Sequence, residues 1–359
     1  MSIDNFLNIH PFSLNKKDRK EIFKKRILSL TNFHYKNSIH YKKIIDASEN
    51  NGPNFKQIED IPFLPVRLFK IYDLKSVDSK EVFKVLNSSG TTGQSVSKIY
   101  LDKETSLNQT KVLTKIFSTF IGNKRVPMIV IDSENVLKDR KLFSARGAGI
   151  LGFSIFAKKR IFALDENMNI KTNEILEFVK QHKNEKIFMF GFTFMIWQHF
   201  YKELVSKKIK LNLSNSVLVH GGGWKKLMNE KISNKMFKSK LSKVVGNSKI
   251  YDYYGMVEQT GSIFMECEEG FLHSSIFSDI IVRRPKDFKI AEFGEKGILQ
   301  VVSILPKSYP GHSLLTEDEG VIYGEDDCKC GRMGKYFKIK GRLKNAEIRG
   351  CSDTYEQGT

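Results

Sequence analysis

Between about residue 60 and residue 241, strand-like apolar runs and amphipathic helices take turns along the chain. Strand runs at residues 126–131, 186–190 and 217–220 are separated by helical stretches. These helices fall at about 103–120, 172–182, 194–206 and from Gly223 to about Leu241. Each helix carries the chain back across one face, so successive strands become parallel neighbours. The expected fold class is therefore α/β, a largely parallel sheet covered by helices. After Lys249 the pattern changes to short, closely spaced strands at 250–254, 262–267, 271–274, 279–283 and 298–304, which predicts a barrel-like or curled sheet. Ahead of the alternation lie a basic amphipathic helix over 17–31, with Ile22, Phe23, Ile27 and Leu28 on one side, and a short helix over 40–48. Prolines 62 and 65 make 61–65 an extended connector.

Onto this frame falls Asn87-Ser88-Ser89-Gly90-Thr91-Thr92-Gly93, with Lys98 five residues on and a strand-like run at 82–86 leading in. Glycines let backbone approach an anion, hydroxyls and amides donate to it, and a lysine adds charge. The stretch is not a P-loop: a second strand at 99–101 follows, and the helix starts only after Asp102. By itself such a cluster also reads as a surface turn.

Three further segments bear on the same chemistry. Gly221-Gly222-Gly223 ends a strand and opens a helix, where an open α/β sheet commonly binds its ligand. Tyr254-Gly255-Met256-Val257-Glu258 turns an aromatic strand at glycine and presents a carboxylate, a hard oxygen donor suited to magnesium and phosphates. Thr316-Glu317-Asp318, read as part of an acidic turn, and Gly341-Arg342 follow.

In this order the segments resemble the adenylate-forming superfamily of acyl-CoA synthetases, luciferase-like enzymes and adenylation domains. Ser88, Ser89, Gly90, Thr91, Thr92 and Gly93 with Lys98 look like its phosphate loop, and Tyr254 to Glu258 like its Tyr-Gly-x-x-Glu motif. Thr316-Glu317-Asp318 stands where that superfamily has Thr-Gly-Asp, with glutamate in place of the glycine. Gly341-Arg342 matches the start of its hinge motif, with Asn345 or nothing for the usual aspartate. Within the superfamily the chain is most similar to the acyl-protein synthetases of bacterial bioluminescence operons. The carriers are Ser88 to Gln94, Phe190-Gly191-Phe192-Thr193-Phe194-Met195, and Arg349-Gly350-Cys351-Ser352-Asp353-Thr354-Tyr355. Phenylacetate–CoA ligases are also similar, notably at Cys328-Lys329-Cys330-Gly331-Arg332.

The resemblance implies an acyl-activating domain over 1–340, and a hinge remnant and tail over 341–359 in place of the further ~100 residues of an ordinary synthetase. It implies ATP and a magnesium ion as cofactors, with a fatty or other carboxylic acid as substrate. Glu258 would bind the metal and phosphates, Asp318 the ribose, and Arg342 ribose or phosphate. Gly221, Gly222, Gly223, Tyr254 and Gly255 would line the nucleotide site. Lys98, Glu258 and Cys351 are the expected catalytic residues. Cys351 lies in a polar tail beside Arg349, which favours its thiolate. An acyl reductase or an acidic acyl-carrier protein is the expected partner, and coenzyme A the rival acceptor.

Other features admit two readings each. His220 either lines the pocket or is a satisfied core histidine. Phe190, Phe192, Phe194, Met195 and Trp197 are either a channel for an acyl tail or ordinary core. Cys328 and Cys330 are too few for tetrahedral zinc unless Cys267 or histidines complete the set.

The net charge of +19 raises a nucleic-acid reading, and twelve lysines against two acids fall between 201 and 250. No arginine accompanies them and no recognised nucleic-acid-binding signature is present, so the expectation is no nucleic acid. That face is either solvated or docks an acidic protein. No apolar run approaches the ~18 residues of a membrane span. The N-terminus lacks a secretory pattern and four cysteines make no disulfide framework, so a cytoplasmic location is expected.

Overall fold

The computed structural model describes residues 3–48, 52–88, 96–138, 145–213, 215–223, 232–246 and 248–343. Ser89, Gly90, Thr91, Thr92, Gly93 and Cys351 lie outside the described residues. The chain forms two compact units. One comprises Met1–Ser88, Ser95–Ser118 and Gly255–Glu347; the other comprises Ser89–Gln94, Thr119–Tyr254 and Ile348–Thr359.

In the first unit a short helix over Asp4–Leu7 is followed by a long one over Lys16–Asn37, six residues longer at its C-terminal end than its apolar pattern predicts. Asn15 caps it by accepting the Asp18 N–H at 3.0 Å. Phe23, Ile27 and Leu30 are buried along the helix, and so is Arg19. That guanidinium is satisfied by Asp279 at 3.1 Å and by the carbonyls of Ser275 and Ser278 at 3.1 and 3.0 Å. Burial without those partners would cost several kcal/mol, on the order of an unpaired buried charge. A short strand β1 (Leu64–Pro65) follows, then an antiparallel hairpin of β2 (Lys84–Asn87) and β3 (Lys98–Leu101). Asp102 accepts the Thr105 N–H at 2.7 Å and starts the helix Lys103–Ile121.

The second unit holds the parallel sheet: β4 (Val126–Ser133), β5 (Ala157–Leu164), β6 (Ile187–Phe192), β7 (Ser216–Gly221) and β8 (Lys249–Tyr254). Their order is β5-β4-β6-β7-β8, all parallel. β6 and β7 are buried at every residue, which is why they read as unbroken apolar runs. Helices Ala145–Ser154, Thr172–Gln181 and Asn234–Val245 cross between strands. So does the stretch from Thr193 to Ser206, which contains a π-helical turn over Ile196–Tyr201. β5 escaped the sequence reading because Lys158, Lys159 and Arg160 are exposed on this edge strand, the composition that discourages further pairing.

The closing part of the first unit is antiparallel: β9 (Phe264–Glu266), β10 (Leu272–His273), β11 (Ser278–Arg283), β12 (Lys296–Ser303), β13 (Ser313–Glu325) and β14 (Lys335–Arg342). Their order is β11-β12-β13-β14-β10-β9, with β1 parallel to β13. Register shifts between Ile298 and Gln300, Glu319 and Gly320, and Ile322 and Gly324 bend these strands. The acidic turn expected at Glu317-Asp318-Glu319 is instead the middle of β13, the longest strand described. Its carboxylates are tolerated in a strand because cations meet them there: Arg67 and Arg342 at Glu317, Arg342 at Asp318 and Lys296 at Glu319.

Candidate functional site

In the first unit, the base of the hydroxyl loop is a continuation of the β2–β3 hairpin. Asn87 and Lys98 are register partners. One step further, the Ser88 N–H donates to the Ser97 carbonyl at 3.0 Å and the Ser88 Oγ accepts the Ser97 N–H at 2.9 Å. Ser88 therefore closes the neck of the loop, with its hydroxyl hydrogen left to donate elsewhere. Lys98 lines a cleft of about 340 Å³ with His40, Phe69, Tyr72 and Asp73. Its Nζ lies 3.8 Å from Asp73, and both side chains are more than half exposed. The Tyr100 hydroxyl, and after it Lys98 and Lys75, hold the Asp73 carboxyl below its ordinary range. A pair this open is worth at most ~1 kcal/mol, so Lys98 can exchange it for a phosphate oxygen at little cost.

Glu258 sits on a single 3₁₀ turn, Val257–Gln259, and is buried. The turn is clamped from both ends. The Tyr309 hydroxyl donates to the Glu258 carbonyl at 2.9 Å, and Gln259 Nε2 donates to the carbonyls of Val301 and Gly311 at 3.1 and 2.8 Å. Gly311 is required here, since a Cβ would fall 2.2 Å from the Tyr309 ring and 2.9 Å from the Glu258 carbonyl oxygen. Burial, then the Glu258 charge, pushes the Tyr309 phenol far up, so it remains a donor. The carboxylate is thus presented on a fixed backbone.

Asp318 and Arg342 are brought together. They are register partners on β13 and β14, and the Arg342 Nε lies 3.2 Å from the Asp318 carboxylate. The Arg342 guanidinium also donates to Glu317 at 3.1 Å, and Glu317 pairs with Arg67 besides. Glu317, the residue that replaces glycine in the motif, is buried between the two arginines. Asp318 is less enclosed, and its backbone N–H donates to the Thr316 hydroxyl at 3.1 Å. Thr316 in turn donates to the Leu299 carbonyl at 2.8 Å. The result is a rigid acidic corner with one carboxylate held inward and one toward the surface.

In the second unit, β7 ends at Gly221, Gly222 takes a positive φ of 91° and Gly223 is exposed. The helix described beyond them is Asn234–Val245, because 224–231 lie outside the described residues. Gly221 has a packing reason for lacking a side chain: Tyr253, its register partner on β8, lays its ring where a Cβ would be, 2.3 Å from Cε1. Its carbonyl accepts the Thr193 hydroxyl at 3.1 Å. Tyr254 is the last residue of β8 and half-buried. His220 is fully buried, hydrogen-bonded through Nδ1 to Thr193 at 3.0 Å and packed on Phe237 at 4.7 Å. Burial, then Lys238, lowers its pKa well below the ordinary range, so it is a neutral core histidine.

The aromatic run, apart from the half-buried Phe194, lies in the core. Phe190, Phe192, Met195 and Trp197 are buried, with Phe190 4.5 Å from Phe153 and 5.7 Å from Phe192 between ring centroids. Trp197 stacks on Tyr201 at 4.5 Å. One buried pair carried no motif signal at all: Asp132, on β4, lies 3.1 Å from Arg146. Burial raises the Asp132 carboxyl to about 6 against the pull of Arg146. No helix among the described residues is long and apolar enough to cross a membrane.

Comparison with known proteins agrees with this architecture. A long-chain-fatty-acid–luciferin-component ligase of Vibrio harveyi is 20% identical over 358 residues, covering 97% of this chain and 90% of that protein. Its counterpart from Photorhabdus luminescens is 32% identical over 76 residues, 21% of this chain and 65% of that protein. Among solved structures, an open conformation of 2-hydroxyisobutyryl-CoA ligase in complex with 2-HIB-AMP and CoA superposes with a TM-score of 0.70. The two are 15% identical, and the match covers 94% of this chain and 78% of that one, which makes the fold common to both. The acyl-protein synthetase family, LuxE, matches residues 2–359, and the chain belongs to that family.

Proposed function

We propose that this protein activates a long-chain fatty acid with ATP and passes the acyl group to a protein thiol. The observation that carries the reading is the family match along the whole chain, with the motif residues Tyr254 to Glu258, Asp318 and Arg342 inside it in the expected order. In the first step a carboxylate oxygen of the acid attacks the α-phosphorus and the bond to pyrophosphate breaks, leaving acyl-adenylate. In the second, a thiolate attacks the acyl carbon and AMP departs.

Lys98 and the loop from Ser88 to Gly93 would meet charge developing on the phosphates. Asp318, held by Arg342 and Thr316, would accept from the ribose hydroxyls, and the clamp from Glu317 keeps Arg342 from wandering. Glu258 suits magnesium in donor type: a hard carboxylate oxygen on a fixed turn, beside a phenol that stays protonated. Held by Glu258, such an ion would supply neutralisation of the charge on the leaving pyrophosphate. The tail 341–359 with Cys351 is the acyl acceptor in this reading. The lysines of Asn234–Val245 and its surroundings suit an acidic carrier or reductase.

Exchange of labelled pyrophosphate into ATP, run with a panel of acids, tests the reading. Wild type exchanges only with its acid present. Glu258→Gln loses exchange by ~100-fold or more while keeping its circular dichroism, the scale expected when several kcal/mol of charge stabilisation is removed. Exchange within about twofold of wild type in that variant would remove Glu258 from the reaction.

A further inference from the structure

Two turns of the antiparallel sheet converge on one point. The β9–β10 turn brings Cys267 and His273, six residues apart. The β13–β14 connection brings Cys328 and Cys330. The three sulfurs and one imidazole nitrogen all lie within 4.8 Å of one another. Cys267 Sγ is 4.0 Å from Cys328 Sγ, and Cys330 Sγ is 3.4 Å from His273 Nε2. These separations are far from a disulfide, whose sulfurs sit ~2.05 Å apart. They match the edges of a tetrahedron around zinc: ligands at ~2.3 Å for sulfur and ~2.05 Å for nitrogen give S···S near 3.8 Å and S···N near 3.6 Å.

We propose that Cys267, His273, Cys328 and Cys330 form a structural zinc site of the Cys₃His type. The surroundings are built to hold the ligands still. His273 is fully buried, stacked on Tyr336 at 5.7 Å and edge-on to Phe12 at 6.4 Å, so its ring is fixed with Nε2 toward Cys330. Both turns are tight. The Gly270 N–H donates to the Cys267 carbonyl at 2.9 Å, and the Gly331 N–H to the Cys328 carbonyl at 2.9 Å, each glycine at a positive φ. Arg332 bridges from one turn to Glu268 on the other, adding a cation beside a site that three thiolates and Zn²⁺ leave at net −1. Four protein ligands complete the tetrahedron and leave no position for water or substrate, the mark of a structural ion. The sequence alone set zinc aside because Cys328 and Cys330 supply only two ligands. The fold delivers the other two from 61 and 57 residues away. The ion would pin the β9–β10 turn to the start of β14, the strand whose far end carries Arg342.

The test is metal content of the full chain purified under reducing conditions without chelator. Wild type should carry about one zinc per chain, and Cys328→Ser with Cys330→Ser should fall below roughly one tenth, as binding is lost with the ligands. Cys351→Ser should keep its zinc, which ties the ion to this cluster rather than to the tail. Should the double variant fail to fold, cobalt decides on wild type alone. Reconstitution with Co²⁺ should produce the thiolate-to-cobalt charge-transfer band and the visible bands of tetrahedral coordination. Wild type without bound zinc, or cobalt that stays octahedral and pink, would overturn the proposal.

Discussion

Replacing Gly221 with alanine separates a glycine kept for packing from one kept for a ligand. The new Cβ would lie 2.3, 2.7 and 2.9 Å from Cε1, Cδ1 and Cζ of Tyr253, where carbon atoms prefer ~3.5–4.0 Å. The ring must therefore retreat by more than an ångström. It has little room to do so, with Phe153 5.2 Å and Phe190 6.2 Å away between centroids. β7 itself is held on both sides by β6 and β8 and cannot shift alone. Forced overpacking of this kind costs ~1–3 kcal/mol. The assay is chemical denaturation followed by circular dichroism, run as a cycle with Tyr253→Leu. Tyr253→Leu destabilises on its own by emptying ring volume, but it also removes the atoms the alanine would strike. The double variant should then be more stable than the sum of the single losses by ~1–3 kcal/mol. A Gly221→Ala variant within ~0.5 kcal/mol of wild type, with nucleotide binding lost and no rescue by Tyr253→Leu, would refute the packing account and return Gly221 to the nucleotide.

Two other outcomes follow. Incubation with ATP and labelled fatty acid should label the protein through a hydroxylamine-sensitive thioester, and Cys351→Ser should lose the label while still forming acyl-adenylate, since a serine hydroxyl is a far weaker nucleophile; undiminished label in that variant would move the acceptor elsewhere. His34 is fully buried between Ser76 and the Pro306 carbonyl, and burial lowers its pKa to about 3 from an unfolded value near 6.5. The unfolded chain then binds the extra proton across that window, so the contribution is intact above pH ~6.5 and lost as pH falls toward 3. The denaturation midpoint should drop between pH 7 and pH 5, and drop less in His34→Gln.

What could be read from residues alone follows burial. β4, β6 and β7 are covered on both faces, so they are continuous apolar runs, and the parallel α/β core was legible from them. β5 hides because half of it is a lysine- and arginine-bearing edge. His220 and the Phe190 to Trp197 run left two readings open because a buried ring has the same letter whether it lines a channel or fills a core. The motif residues Lys98, Glu258, Asp318 and Arg342 could be named in order, but not their distant neighbours: Asp73 comes to Lys98, Tyr309 to Glu258 and Arg67 to Glu317 through tertiary folding.

The departure at Glu317 shows why a motif read letter by letter can mislead. A glutamate among Thr316, Asp318 and Glu319 reads as a solvated acidic turn, since three adjacent carboxylates repel and draw water. In the fold they lie along a strand, and the Glu317 and Asp318 carboxylates both reach the one Arg342 guanidinium, at 3.1 and 3.2 Å. Arg67, 250 residues upstream, and Arg342, 25 residues downstream, close on Glu317 from either side. A glycine at this position would take the carboxylate from Arg67 and leave Arg342 with Asp318 alone. The glutamate thus changes the task of Arg342: part of its fork is engaged by Glu317 before Asp318 is reached. Two carboxylates sharing one cation leave Asp318 with acceptor capacity, which a pair of hydroxyls can use.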